Sequence, residues 1–124
     1  MTGLALSPLA HTWLIDLDGT VCIHNGYKNG GDELLPGVSA FWSSIPAEDK
    51  IILLTARKST DIAALERFLN QVGLRYDQII ADLPMGERIL LNDKKPSGLV
   101  TAIAVNLTRD QGLSDLTVTI DQRL

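Results

Sequence analysis

A single cysteine, Cys22, is all the chain has, so no internal disulfide framework can brace it, and a lone thiol suits a reducing cytoplasm. Cys22 itself reads as a small, half-buried side chain rather than a reactive thiol. No uninterrupted apolar stretch approaches the roughly 20 residues needed to span a bilayer. Met1 to Ala10 is mildly apolar but has no basic residue ahead of its Leu and Ala positions, which argues against a signal peptide. Positive charge is not in excess: the formal net charge is −4, leaving no broad basic face for duplex nucleic acid, although a local positive pocket stays open. Repeats and low-complexity tracts are absent. What is present is an ordinary globular balance over 124 residues, 45% hydrophobic and 21% charged, enough for one folded domain.

Trp13-Leu14-Ile15 runs into Asp16 and reads as a strand buried on both faces. From Val21 to Pro36 the turn signals Asn25-Gly26 and Asn29-Gly30-Gly31 mark a loop or short hairpin over one sheet edge. Pro36-Gly37 opens a helix to about Ser44, with Val38, Phe41 and Trp42 at helical spacing; Ile51 to Leu54 is a second buried strand. Ser59-Thr60-Asp61 offers N-caps for a helix from Asp61 to Val72, whose apolar face is Ile62, Leu65, Phe68, Leu69 and Val72, with Gly73 as C-cap. Further strands are expected at Tyr76 to Ile80, Arg88 to Asn92 and Ala102 to Leu107, and an edge strand at Leu116 to Ile120. Alternating strands and helices imply a parallel sheet, which binds ligands beyond its carboxyl strand ends.

Those ends carry the chemistry. Asp16 and Asp18 leave the first strand beside Gly19, which permits a sharp turn. Two such carboxylates repel, and a hard divalent cation relieves the repulsion. Asp16 could then attack a phosphorus atom while Asp18 protonates the leaving oxygen. An acidic turn with no further role is the plain alternative. The second strand ends in Thr55-Ala56-Arg57, a hydroxyl, free amides and a forked donor suited to phosphate oxygens, or equally an ST-turn and helix cap. The expected fourth strand ends in Asn92-Asp93-Lys94. His24 in the loop and His11 ahead of the first strand read as ordinary surface and structural residues.

Ile15-Asp16-Leu17-Asp18-Gly19-Thr20, Leu53-Leu54-Thr55 and Leu90-Leu91-Asn92-Asp93 resemble the first, second and fourth motifs of the haloacid dehalogenase superfamily. The resemblance runs from about Trp13 to Pro96. It implies a Rossmann-like, mostly parallel α/β sheet of about five strands with helices on both faces, one domain over residues 1–124, and no cap domain. It implies a phosphomonoester hydrolase that works through an aspartyl-phosphate. Asp16 is then nucleophile and Mg²⁺ ligand, and Asp18 is general acid and base with its carbonyl on Mg²⁺. Thr55 touches the phosphoryl group, Asp93 is the remaining metal ligand, and Gly19, Thr20, Ala56 and Arg57 line the substrate. Asn92 departs from the pattern, standing where many members have a second Asp.

The basic residue of the third motif has no obvious occupant. Arg88 is expected to start the fourth strand, and about six residues of strand would hold it about 15 Å from the active end. Lys94, at that end, is the preferred candidate, with Arg57 as the other. The short intervals between motifs leave the site open, shaded by Val21 to Leu35, unless a second copy of the chain supplies a lid. The substrate class that the resemblance implies is a sugar phosphate, a nucleotide or another small phosphate ester. A polynucleotide end phosphatase and a non-catalytic binding module of the same fold are the alternatives. A receiver domain would need an acceptor Asp where Thr55 stands.

Overall fold

The computed structural model describes residues 2–124; Met1, where the apolar start begins, lies outside them. Thr12–Asp16 (β2), Lys50–Leu54 (β3) and Gln78–Ile80 (β4) form a three-stranded sheet in the order β2-β3-β4. Both pairings are parallel, with Asp16 level with Leu54 and Leu54 level with Ile80, so the carboxyl ends of all three strands come to one edge. A second, two-stranded sheet pairs Thr2–Leu6 (β1) with Leu116–Ile120 (β5), also in parallel. The expected tail strand therefore exists, but its partner is the start of the chain and not the main sheet. The fold is α/β with parallel strands, divided between two sheets where one of about five strands was expected.

The helices are Val38–Ser44 (α1) and Ile62–Val72 (α2). Each joins neighbouring strands of the main sheet, and both crossovers step in the same direction, which puts both helices on one face. Burial follows that placement. Ile15, Ile51 and Leu53 are buried with Phe41, Trp42, Leu65 and Leu69, whereas Leu14 on the opposite face is 48% exposed. Helices on both faces were expected; no helix among the described residues follows β4 to cover the second one.

Local chemistry sets the helix ends. Gly37 precedes α1 at φ 78, a left-handed conformation that costs glycine least. Gly73 ends α2 at φ 73, its N–H donating to the carbonyls of Asn70 and Leu69. Ser59–Asp61 do not cap α2 through a side chain. They form a 3-10 turn ahead of it, and the Ser59 N–H is taken by the Asp82 carboxylate at 3.1 Å. Leu65 and Leu69, fully buried, contribute about 1.5–3 kcal/mol each to holding α2 down. At the amino ends of the strands, buried Asp49 accepts the Trp13 indole N–H at 2.9 Å and the His11 amide at 3.0 Å.

Neither Arg88 to Asn92 nor Ala102 to Leu107 is a strand; residues 88–107 contain no helix or strand. A strand parallel to β4 requires a crossover of about a dozen residues or more, and only Ala81 to Glu87 separate Ile80 from Arg88. The apolar run there is open, with Ile89 84% and Leu91 89% exposed. Among the described residues no helix is long and apolar enough to cross a membrane.

Candidate functional site

Beyond β2 the chain folds tightly on itself. The Leu17 N–H continues the sheet pairing to Leu54 at 3.0 Å, and the Leu17 carbonyl accepts from Thr20, Val21 and Cys22 at 3.3, 2.9 and 3.2 Å. Leu17 is fully buried and anchors this turn, while Gly19 at φ 90 makes its reversal possible. Asp16 and Asp18 stand on either side of Leu17 and meet different partners.

The Asp16 carboxylate is open to solvent. Thr20 Oγ1 donates to its Oδ2 at 3.1 Å, and Arg88 Nη1 donates to its Oδ1 at 2.7 Å. Arg88 therefore stands beside Asp16, where Lys94 was expected. Because no fourth strand carries it to the far end of the sheet, Arg88 stays at the carboxyl edge. Lys94 is exposed and makes no ion pair or side-chain hydrogen bond among the described residues.

Asp18 is drawn inward. Thr55, buried at the end of β3, donates its hydroxyl to Asp18 Oδ2 at 3.2 Å. The Arg57 guanidinium donates to Asp18 Oδ1 at 2.8 Å through Nη2, and through Nε at 3.3 Å to each oxygen. The same guanidinium forks onto Asp32 at 2.6 and 3.0 Å and lies 4.0 Å from the Tyr27 ring centroid. Burial by itself would lower the Arg57 pKa, but hydrogen bonds to Asp32 and Asp18 outweigh it and hold the group firmly protonated. Arg57 was expected to meet phosphate. Its donors are committed to two carboxylates instead, so it ties the Val21–Leu35 segment to Asp18.

One backbone donor remains free nearby. The Ala56 N–H has no acceptor among the described residues, while the Arg57 N–H is taken by Thr55 Oγ1 at 3.0 Å. The turn after β4 is clamped onto this loop by the Asp82 N–H to the Arg57 carbonyl at 2.8 Å and the Leu83 N–H to the Thr55 carbonyl at 3.2 Å.

Two donor sets bear on a metal ion. Asp18, Cys22 and Asp32 place ligand atoms within 4.8 Å of one another, but Arg57 already supplies the cation between them, with Nη2 3.5 Å from Cys22 Sγ. Burial, followed by the Asp32 and Asp18 charges, pushes the Cys22 thiol far above its usual range, so it is a poor ligand or nucleophile. The expected set was Asp16, the Asp18 carbonyl and Asp93. The Asp18 carbonyl accepts no hydrogen bond among the described residues and follows Asp16 closely in the turn. Asp93 is exposed, and its segment is tied to Thr101, which bonds its carbonyl and the Asn92 amide, not to Asp16, Asp18 or Thr55. Asp16 and the Asp18 carbonyl are oxygen donors of the kind a hard divalent cation takes; Asp93 is not assembled with them.

Arg88, Asp32 and Tyr27 are the participants that sequence reasoning missed or ranked low. The crossover length to Arg88 was a usable signal; nothing local marked Asp32 or Tyr27 as partners of Arg57. No protein-family model, no characterised protein and no solved structure matches this chain.

Proposed function

We propose that the chain is a Mg²⁺-dependent phosphomonoester hydrolase of the haloacid dehalogenase type, with Asp16 as nucleophile. The observation that carries the reading is the pair of carboxylates at the end of β2, one held outward by Arg88 and Thr20 and the other inward by Thr55 and Arg57. Two carboxylates two residues apart, kept in separate environments, suit a division of labour between nucleophile and proton carrier.

In this reading an Asp16 oxygen attacks phosphorus and the ester oxygen departs with a proton from Asp18. Both Asp18 oxygens are engaged by Arg57 and Thr55, so the side chain turns from that grip to reach the leaving oxygen. Asp18 then takes a proton from water as the water attacks phosphorus, which releases inorganic phosphate and restores the Asp16 carboxylate. Arg88 offsets charge between nucleophile and phosphoryl group, and the Ala56 amide supplies a donor to its oxygens. A Mg²⁺ ion on Asp16 and the Asp18 carbonyl would withdraw charge from the phosphoryl oxygens.

The substrate is a small phosphate ester such as a sugar phosphate or nucleotide. A polynucleotide end is the less favoured substrate because of the net charge of −4. The separation of Asp93 from Asp16 favours one second reading, a catalytically weak binding module of the same fold. Turnover of phenyl phosphate esters with and without Mg²⁺ separates the two. Hydrolysis that stops in excess chelator supports the enzyme, and no turnover of any ester at any Mg²⁺ concentration supports the binding module.

A further inference from the structure

The segment from Thr108 to Leu113 crosses the mouth of the Asp16–Thr20 turn and is fastened on both sides. The Asp110 N–H donates to the Gly19 carbonyl at 2.8 Å, and Asp110 Oδ1 accepts the His24 N–H at 2.8 Å. Asp110 sits at φ 62, a left-handed conformation that costs a non-glycine residue about 1 kcal/mol or more and persists where surrounding bonds enforce it. Beyond it, the Leu113 N–H donates to the Pro36 carbonyl at 2.9 Å and the Leu113 side chain is buried.

This fastening lays Arg109 over the turn. A Cβ built on Gly19 would lie 3.2 Å from Arg109 Cγ, 3.9 Å from Cδ and 3.8 Å from Nε, so the arginine stem packs on the bare face of that glycine. Its guanidinium forms no ion pair or hydrogen bond among the described residues, although the chain has 15 acidic residues. A forked donor positioned but unmatched fits a planar carboxylate or a phosphate. The reacting phosphoryl group is already provided for by Arg88 at Asp16 and by the Ala56 amide.

We infer that Arg109 binds a second anionic group, carboxylate or phosphate, carried by the leaving portion of the substrate. The inference rests on the phosphohydrolase reading and narrows it to esters that bear two anionic groups. Arg109 is a specificity-determining residue here, acting on the part of the substrate that departs.

The test compares 4-carboxyphenyl phosphate with 4-carbamoylphenyl phosphate, which share a shape and differ in charge, and adds 1,4-phenylene bisphosphate to tell carboxylate from phosphate. The wild-type chain with Mg²⁺ is expected to favour one or both of the esters with an anionic tail over the amide by about 10- to 100-fold in kcat/KM, the range of a charge-assisted hydrogen bond. Arg109→Gln should bring that ratio near one, Arg109→Lys should keep part of it, and Arg109→Glu should reverse it. Because the ratio is measured on one preparation, a misfolded fraction cancels. A preference that survives Arg109→Gln, or equal wild-type turnover of all the esters, overturns the inference while leaving the hydrolase reading standing. No wild-type turnover of any ester overturns that reading and the Arg109 inference with it.

Discussion

Replacing Asp32 with Ala leaves one of the most enclosed charges in the molecule short of a partner. The Arg57 and Asp32 side chains are 1% and 6% exposed and joined at 2.6 Å, so water cannot replace the lost carboxylate. Breaking a buried pair by removing one member costs about 3–5 kcal/mol. Asp18 still faces the guanidinium at 2.8 Å and recovers part of that, so the expected loss is about 2–4 kcal/mol. Against a stability of about 5–15 kcal/mol for a domain of ordinary size, this shifts the urea midpoint clearly while leaving the slope of the unfolding curve unchanged. A loss below about 1 kcal/mol, the range of a surface ion pair, would refute the burial argument.

Arg88→Ala should lower turnover of an aryl phosphate at least tenfold, about 1.4 kcal/mol or more in the barrier, while Lys94→Ala stays within about twofold; steady-state kinetics with Mg²⁺ would contradict the site if the two effects were exchanged. The Asp49 carboxyl is a second handle. Burial works to raise its pKa, but the Trp13 and His11 hydrogen bonds overcome this and hold it below its usual value. Its contribution is therefore present above the unfolded-state pKa of about 4 and is lost as pH falls through the lower folded value. Urea midpoints should drop in acid for the native chain, and Asp49→Asn should remove that component; an identical acid profile in the variant would sink the assignment. Gly112→Ala should destabilise by more than about 2 kcal/mol, because left-handed backbone costs Ala about 1–2 kcal/mol and its methyl would collide with the Pro36 carbonyl at φ 78. An unchanged melting temperature would contradict that packing.

The parts of the fold that were legible are those with local causes. An unbroken apolar run gave β2 and β3, a helical apolar stripe closed by Gly73 gave α2, and the same runs placed Asp16 and Thr55 at neighbouring strand ends. What was not legible depends on distant partners. Thr2–Leu6 reads only as a mildly apolar start because its pairing partner, Leu116–Ile120, lies at the other end of the chain. Ile89-Leu90-Leu91 has the composition of a buried strand, yet the short connection from Ile80 denies it a parallel place. Counting that connection would have moved Arg88 toward Asp16 and removed Lys94 and Asp93 from the strand end. Arg57 was expected beside phosphate and is held by two carboxylates: its fork matches either group equally well, and only the folded loop brings Asp32 to it.

Acid-quenched single turnover asks whether Asp16 accepts the phosphoryl group. With a radiolabelled aryl phosphate and Mg²⁺, label should remain on the denatured chain, map to the peptide containing Asp16, and leave on treatment with hydroxylamine, as an acyl phosphate does. Asp16→Asn should carry no label and release no phosphate. Phosphate release from a chain that never retains label, or full turnover by Asp16→Asn, would contradict the account.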